Sequence, residues 1–325
     1  AVCQTNSSEL RDNRRRPRYK RCPMGAPLAE FTHGNVHLLG SSLAGEETFI
    51  VAPELNVAFD VGRAQRELLG VDHVFLSHGH MDHAAGVAYY FSQRMFIDTP
   101  PGHLYAPVGL VEPIRDLLRL WAQIDGHEPP AHIHPVEAGV DVQLRRDLVV
   151  RPFAVNHPCR RQDRSTIDAL GFSVIEVRQK IFDEYAQLTG PQIVELKRQG
   201  VQITRRVEIP LVAYTGDTAA GDFLELPYVR GAKVLLLECT FVEPDHLDRA
   251  RAGAHLHLRD LGAIVPRLEN ERILLIHLSR RTPLATAKAM LRRELNASDL
   301  ERVSFFMEHR RRRRPAVAEP GESPE

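Results

Sequence analysis

The sequence is poor in cysteine, with four in 325 residues (Cys3, Cys22, Cys159, Cys239) and no CxxC spacing. Neither a disulfide framework nor a thiolate zinc site is expected from so few, and a reducing cytoplasm is the expected setting. No run approaches 18 uncharged apolar residues, so no membrane-spanning helix and no membrane partner are expected. The N-terminus lacks an apolar core followed by a small-residue cleavage site, so no secretory signal is expected. The chain begins at Ala1 rather than Met, and its first residues carry little weight. There is no G-x-G-x-x-G, no G-x-x-x-x-G-K-[ST] and no G-x-S-x-G, which leaves nucleotide-driven and serine-nucleophile chemistry without a foothold.

Net charge is also missing, since 42 basic residues balance 42 acidic ones. The balance hides a gradient. Residues 1–30 hold seven basic and three acidic residues (+4), and residues 309–325 hold five Arg and three Glu (+2), so 31–308 carries −6. Both ends read as disordered: an Arg-rich arm at 1–30 and a basic, then Pro/Glu-rich, tail at 309–325. Such arms resemble segments that attract nucleic acid, although a solvated tail without a partner is the plainer reading. The body at 31–308 reads as one folded domain. With 43% hydrophobic and 26% charged residues over the whole chain, the composition suits a soluble domain with a large core.

Short apolar runs alternate with amphipathic stretches along this body. Strands are expected at 48–51, 57–61, 73–77, 148–155, 172–177, 211–215, 234–239 and 273–278. Many are apolar on consecutive residues, as in strands buried on both faces. Helices are expected at 82–93, 111–123, 191–198, 258–268 and 284–295. Leu117, Leu118, Trp121 and Ile124 fall at helical spacing and read as a core stripe. The pattern is that of an α/β fold whose sheets are covered by helices.

Histidine is the real excess, at sixteen residues. The densest group is Ser77-His78-Gly79-His80-Met81-Asp82-His83, between an apolar strand and a helix start. Side chains two apart in an extended turn point the same way, so His78 and His80 can chelate one ion. Asp82 and His83 can reach a second ion beside it. Imidazole and carboxylate without thiolate suit zinc in an open catalytic site, with manganese or iron as alternatives. Further donors lie at or in other strands: His157, Asp217 and His277. A histidine in an otherwise apolar strand is costly unless paired, which favours a ligand role for His277.

The HxHxDH pattern followed by His, Asp and His resembles the metallo-β-lactamase superfamily. That resemblance implies an αβ/βα sandwich with a dinuclear site at one sheet edge. It assigns His78, His80 and His157 to one zinc, Asp82, His83 and His277 to the other, and Asp217 to the bridge. Val57-Ala58-Phe59-Asp60-Val61-Gly62-Arg63, Thr215-Gly216-Asp217-Thr218, Glu238-Cys239-Thr240-Phe241, His255-Leu256-His257 and Ile276-His277-Leu278-Ser279 narrow it. Together these segments resemble ribonuclease Z, the tRNA 3′-end processing endonuclease, and its short plant-type form most. The resemblance runs over roughly residues 35–282.

It implies a tRNA-precursor substrate and a homodimer. It also implies a proton relay in which Glu238 orients His257, and His257 protonates the leaving 3′-oxygen. Asp82 would accept a proton from the attacking water, and two ions would clamp the phosphodiester. Ser279 and Arg281 are candidate substrate contacts. The family's long Gly/Pro-rich arm is not evident; residues 188–200 resemble its shortened form. Arg281 is followed by Thr282 where the family tends to have Tyr, and 97–109 matches no family element. The terminal arginines (Arg14, Arg15, Arg16 and 310–314) are candidates to replace lost phosphate contacts. Two rivals stand beside this reading: a small-molecule phosphodiesterase or ester hydrolase of the same superfamily, and an inactive RNA-binding scaffold.

Overall fold

The structure is a computed structural model and describes residues 28–157, 159–160, 166–167 and 169–310. The first sheet is built from β1 (Ala29–His33), β2 (Val36–Ala44), β3 (Glu47–Ala52), β4 (Val57–Phe59), β5 (His73–Phe75), β6 (His103–Pro107) and β7 (His132–Val136), hydrogen-bonded in that order. The hairpins at β1–β4 are antiparallel and β4–β7 run parallel. The parallel connections carry α1 (Met81–Ala84), α2 (Val87–Phe96) and α3 (Val108–Asp125).

The second half of the chain holds β8 (Val142–Arg145), β9 (Leu148–Ala154), the small pair β10 (Cys159–Arg160) and β11 (Thr166–Ile167), β12 (Leu170–Ile181), β13 (Thr204–Tyr214), β14 (Val234–Glu238), β15 (Arg272–Ile276), β16 (Leu278–Ser279) and β17 (Val303–Phe305). The second sheet runs β17-β15-β14-β13-β12-β9-β8, while β16 crosses to pair with β2 of the first sheet. Its helices are α4 (Gly190–Arg198), α5 (Pro227–Arg230), α6 (Leu247–Gly253), α7 (Leu258–Ile264), α8 (Leu284–Glu294) and α9 (Ala297–Leu300).

Three apolar clusters explain why these layers stack. Phe59, Phe75, Phe172, Val212, Tyr214 and Leu236 meet between the two sheets, with Phe59 stacked on Tyr214 at 4.9 Å. Val87, Tyr90, Phe91, Leu110 and Ile114 of α2 and α3 cover the outer face of the first sheet. Val229, Leu261 and Leu291 of α5, α7 and α8 cover the outer face of the second. The result is the expected αβ/βα sandwich, with sheet strands apolar on both faces because both faces are covered. Among the described residues no helix is long and apolar enough to cross a membrane.

All eight expected strands form, with shifted ends, and nine strands were not expected as separate elements: β1, β2, β6, β7, β8, β10, β11, β16 and β17. The arm expected at 1–30 lies outside the described residues except for its end, where Ala29 and Glu30 already belong to β1. His309 and Arg310 of the expected tail pair back onto this strand, and 311–325 lie outside the described residues. The helix expected at 82–93 is two helices. It breaks at Gly86, where an added Cβ would lie 2.5 Å from the Ala64 nitrogen. The core stripe expected on α3 is wrong: Trp121 is 48% and Ile124 66% exposed. The buried face is Leu110, Val111 and Ile114, with Leu118 packed beside them, so α3 carries two apolar stripes and only one meets the sheet.

Candidate metal centre

Six strand ends deliver the chemistry-bearing side chains to one rim of the sandwich. Asp60 follows β4, the histidine-rich turn follows β5, His157 follows β9, Asp217 follows β13, Glu238 ends β14 and His277 follows β15. Three of these exits use left-handed backbone: Asp60 (φ 57°), Gly216 (φ 58°) and His277 (φ 60°). Gly216 is required, since an added Cβ would lie 2.8 Å from Cβ of Ser77. Asp60 and His277 hold this conformation at a cost of about 1–3 kcal/mol each, in the manner of functional sites. His277 does not lie inside a strand as expected from the sequence; it is the hinge at which the chain leaves β15 and crosses sheets into β16.

The seven expected ligands converge. Ligand atoms of His78, His80, His157 and Asp217 lie within 4.8 Å of one another, as do those of Asp82, His83 and His277. His80 Nδ1 is 3.0 Å from His78 Nε2 and 3.3 Å from His157 Nε2. On the other side His277 Nε2 is 3.3 Å from Asp82 Oδ2 and 3.4 Å from His83 Nε2. Asp217 spans the two groups, with Oδ1 at 3.3 Å from His83 and Oδ2 at 3.3 Å from His277 and 3.6 Å from His78. Donors held 2.0–2.1 Å from a tetrahedral ion stand about 3.3 Å apart, so these separations match edges of coordination polyhedra.

The outer nitrogens settle which ring atom faces inward. His83 Nδ1 donates to Asp60 at 2.6 Å, and His157 Nδ1 to the Ala254 carbonyl at 3.2 Å. The Ser77 hydroxyl donates to Asp60 at 2.8 Å and accepts from His78 Nδ1 at 2.9 Å. His277 Nδ1 meets the Thr240 hydroxyl at 2.8 Å. Each of these four rings therefore turns an Nε2 lone pair to the centre, the arrangement in which second partners orient metal-bound imidazoles. Asp60 is the buried anchor: it also accepts from the Ser77 amide at 2.6 Å and from the Tyr214 hydroxyl.

The electrostatics call for a cation at this place. Asp217 Oδ1 is buried without a hydrogen-bond partner. Burial disfavours charge on His83, yet Asp217 and Asp60 outweigh it and hold its proton well above the ordinary range. Burial, joined by the charge of His83 and the neighbouring imidazoles, pushes His78 well below its ordinary value, into the neutral ligand form. Asp82 goes against its burial, held down to about 2 by His277 and His83. A divalent ion answers the same carboxylates that otherwise demand a proton, and the N/O donor set suits zinc. His80 is exposed and Asp82 half-buried while the remaining ligands are buried, so the centre opens on their side.

Glu238 is fully buried, but its partner is not the expected one. The imidazole against Glu238 is His255, with Nδ1 at 2.6 Å from Oε1. His257 points away: its Nδ1 accepts from the Arg259 amide at 3.2 Å, its Nε2 donates to the Glu243 carbonyl at 2.9 Å, and it caps α7. The histidine that meets Glu238 is thus His255 and not His257, the partner expected from the sequence. Burial disfavours charge on His255, but the hydrogen bond and charge of Glu238 prevail and raise its proton affinity. A ring nitrogen of His255 lies within 4.8 Å of ligand atoms of Asp217 and His277, so the pair abuts the metal groups. Of the candidate substrate contacts, Ser279 is buried and its hydroxyl accepts from the Arg281 amide, whereas the Arg281 side chain is exposed. Asp60, Ser77 and Thr240 stood within the segments that carried the resemblance, but their spacing gave no sign that they orient the ligands.

The family of beta-lactamase superfamily domains matches residues 46–182. A tRNase Z of Arabidopsis thaliana is 32% identical over 245 residues, which are 74% of this chain and 85% of that protein. The chain belongs to the ribonuclease Z family. The nuclear ribonuclease Z of Triticum aestivum is 34% identical over 168 residues, 52% of this chain and 91% of that one. Among solved structures, the short form of human tRNase Z matches with a TM-score of 0.51 at 19% identity, over 79% of this chain and 93% of that chain. The metallo-beta-lactamase fold protein YhfI of Bacillus subtilis matches at 0.55 and 14% identity, over 86% and 95%. Likeness at such identities speaks for the fold alone. In this chain the segment between β12 and β13 that resembles a shortened arm holds α4, capped by Thr189 and Gln192.

Proposed function

We propose that this chain is a metal-dependent endonuclease that removes the 3′ trailer of tRNA precursors, using two divalent ions, zinc foremost. The observation that carries it is the pairing of a bridged seven-ligand centre with an adjoining Glu–His pair, in a chain of the ribonuclease Z family. Held by His78, His80, His157, Asp82, His83, His277 and Asp217, two divalent ions would polarise the phosphodiester and lower the pKa of the attacking water. The protein's own residues do the rest. The centre opens beside His80 and Asp82, which is where a phosphodiester enters. Asp82, a half-buried carboxylate braced by the Gly45 amide at 2.7 Å, accepts the proton of the attacking water. Glu238 keeps His255 protonated and oriented, and His255 hands that proton to the departing 3′-oxygen.

RNA engagement falls to exposed basic groups. The β12–β13 hairpin with α4 carries Arg178, Lys180, Lys197, Arg198 and Arg205, and Arg281 follows His277 by four residues. Arg14, Arg15, Arg16 and the arginines at 311–314 lie outside the described residues. A homodimer is part of this reading: α3 exposes Val108, Leu117, Leu120, Trp121 and Ile124, and the end of α2 exposes Phe96 with Ile97 just beyond it. Exposed apolar side chains gathered on neighbouring helices are what an association face is built from.

A tRNA precursor with a 3′ trailer tests the proposal. Cleavage at the trailer junction that stops with chelator and returns with zinc is the expected result. Hydrolysis of a chromogenic phosphodiester without precursor cleavage would overturn the tRNA assignment, and binding of RNA without any hydrolysis would favour a scaffold.

A further inference from the structure

The proton relay and the second metal group meet at one hydroxyl. Thr240 is buried, and its Oγ1 lies 2.9 Å from Glu238 Oε2 and 2.8 Å from His277 Nδ1. A hydroxyl has a single proton to give. Glu238 accepts and cannot donate, since its Oε1 already takes His255 Nδ1–H at 2.6 Å and the Thr218 amide at 3.3 Å, and its Oε2 takes the Thr240 amide at 2.8 Å. The Thr240 proton therefore goes to Glu238. Its oxygen must then accept; His255 Nδ1, 3.3 Å away, gives its proton to Glu238 at 2.6 Å, so the donor to Thr240 is His277 Nδ1 at 2.8 Å. With a proton on Nδ1, His277 has its lone pair on Nε2, the atom facing Asp82, His83 and Asp217.

We infer that Thr240 is a positioning residue that fixes the tautomer of His277 and couples metal binding at the Asp82–His83–His277 group to Glu238. The inference rests on the functional reading of the centre and adds a connection to it. One carboxylate serves both halves of the site: it orients His255 directly and His277 through Thr240. Reversing the chain of donors undoes the second link. A Gln at 238 can turn its amide toward Thr240. The Thr240 hydroxyl would then donate to His277, moving the ring proton to Nε2, where it opposes a cation.

Thr240→Val keeps the shape and removes the hydroxyl, and Thr240→Ser restores it. The measurement is Zn2+ affinity by chelator competition on metal-stripped protein, with histidine tautomers read from 15N chemical shifts. Wild type should show two binding steps. Thr240→Val and Glu238→Gln should weaken one step 10–100-fold, the usual effect of losing an outer partner of a ligand. The step assigned to His78, His80 and His157 should stay within about threefold, which also shows that the variants fold. His277 should lose its uniform Nδ1–H signature in Thr240→Val and regain it, with affinity, in Thr240→Ser. If Thr240→Val keeps both steps within twofold of wild type, or Thr240→Ser fails to recover the loss, the inference is overturned. If wild type binds fewer than two ions, it is the reading of the centre that fails.

Discussion

Two histidines separated by one residue should fail in opposite ways. Substituting each by Asn is the cleanest comparison. At 255 the Asn amide can keep a hydrogen bond to Glu238 but carries no transferable proton. Loss of a general acid costs 10²–10⁴ in rate, about 3–5 kcal/mol of transition-state stabilisation, so His255→Asn should lower kcat on tRNA precursor by that factor with little change in stability. The loss should shrink on a p-nitrophenyl phosphodiester, whose leaving group departs without protonation. At 257 the Asn oxygen can still cap α7, but the bond from Nε2 to the Glu243 carbonyl at 2.9 Å disappears inside a buried site. The Glu243 carbonyl keeps the His246 amide at 2.9 Å, and losing one of its two hydrogen bonds costs about 0.5–1.5 kcal/mol, so His257→Asn should lower unfolding free energy by that amount and leave kcat within a few-fold. Denaturant unfolding and single-turnover cleavage measure the two. Equal losses of kcat in both variants, or a greater loss at 257, would refute the assignment of the relay to His255.

Asp60→Asn puts an amide among four donors, from Ser77 (two), His83 and Tyr214. It should destabilise metal-stripped protein by about 2–4 kcal/mol and weaken zinc binding 10–100-fold; unchanged values in chemical unfolding and chelator competition would refute its anchoring role. Asp72 is pulled down against its burial by Asn56 and by Arg94, a side chain that is itself almost fully buried. A depressed carboxylate contributes stability above its unfolded pKa of about 3.9 and loses it as pH falls through the lower folded value. The stability gap between wild type and Asp72→Asn, measured with chelator present, should therefore be widest near neutrality and close below about pH 4; a gap constant with pH would contradict the pairing. Trp121→Glu on the exposed face of α3 should convert a dimer to monomer in sedimentation without changing thermal stability of the fold, and a wild-type monomer would remove the dimer from the account.

The legible part of this molecule was the part whose residues have one use. Val234–Leu237 and Ile273–Ile276 are apolar throughout because both faces of their strands are covered, and runs like these can be read without coordinates. His78, His80, Asp82 and His83 were legible because that density of donors in one turn has few other uses. Strands such as His103–Pro107 and His132–Val136 were not, since their histidines and prolines break the alternation that marks a strand. On α3 both faces carry apolar residues at helical spacing, and only the packing of Leu110, Val111 and Ile114 on the sheet shows which is inside. His255 and His257 flank a buried Leu256, and spacing alone makes them equal candidates. The difference arises from Ala254, which ends α6 in left-handed backbone (φ 53°) and turns the chain toward Glu238, and from Asp260, whose carboxylate accepts from the His257 amide and holds that residue as a cap.

Anomalous diffraction at the zinc edge from zinc-loaded crystals tests the seven-ligand cage most directly. Two peaks are expected about 3.5–4 Å apart. One should lie among His78, His80 and His157 and the other among Asp82, His83 and His277, with Asp217 touching both. A single peak, or peaks away from these side chains, would contradict the account.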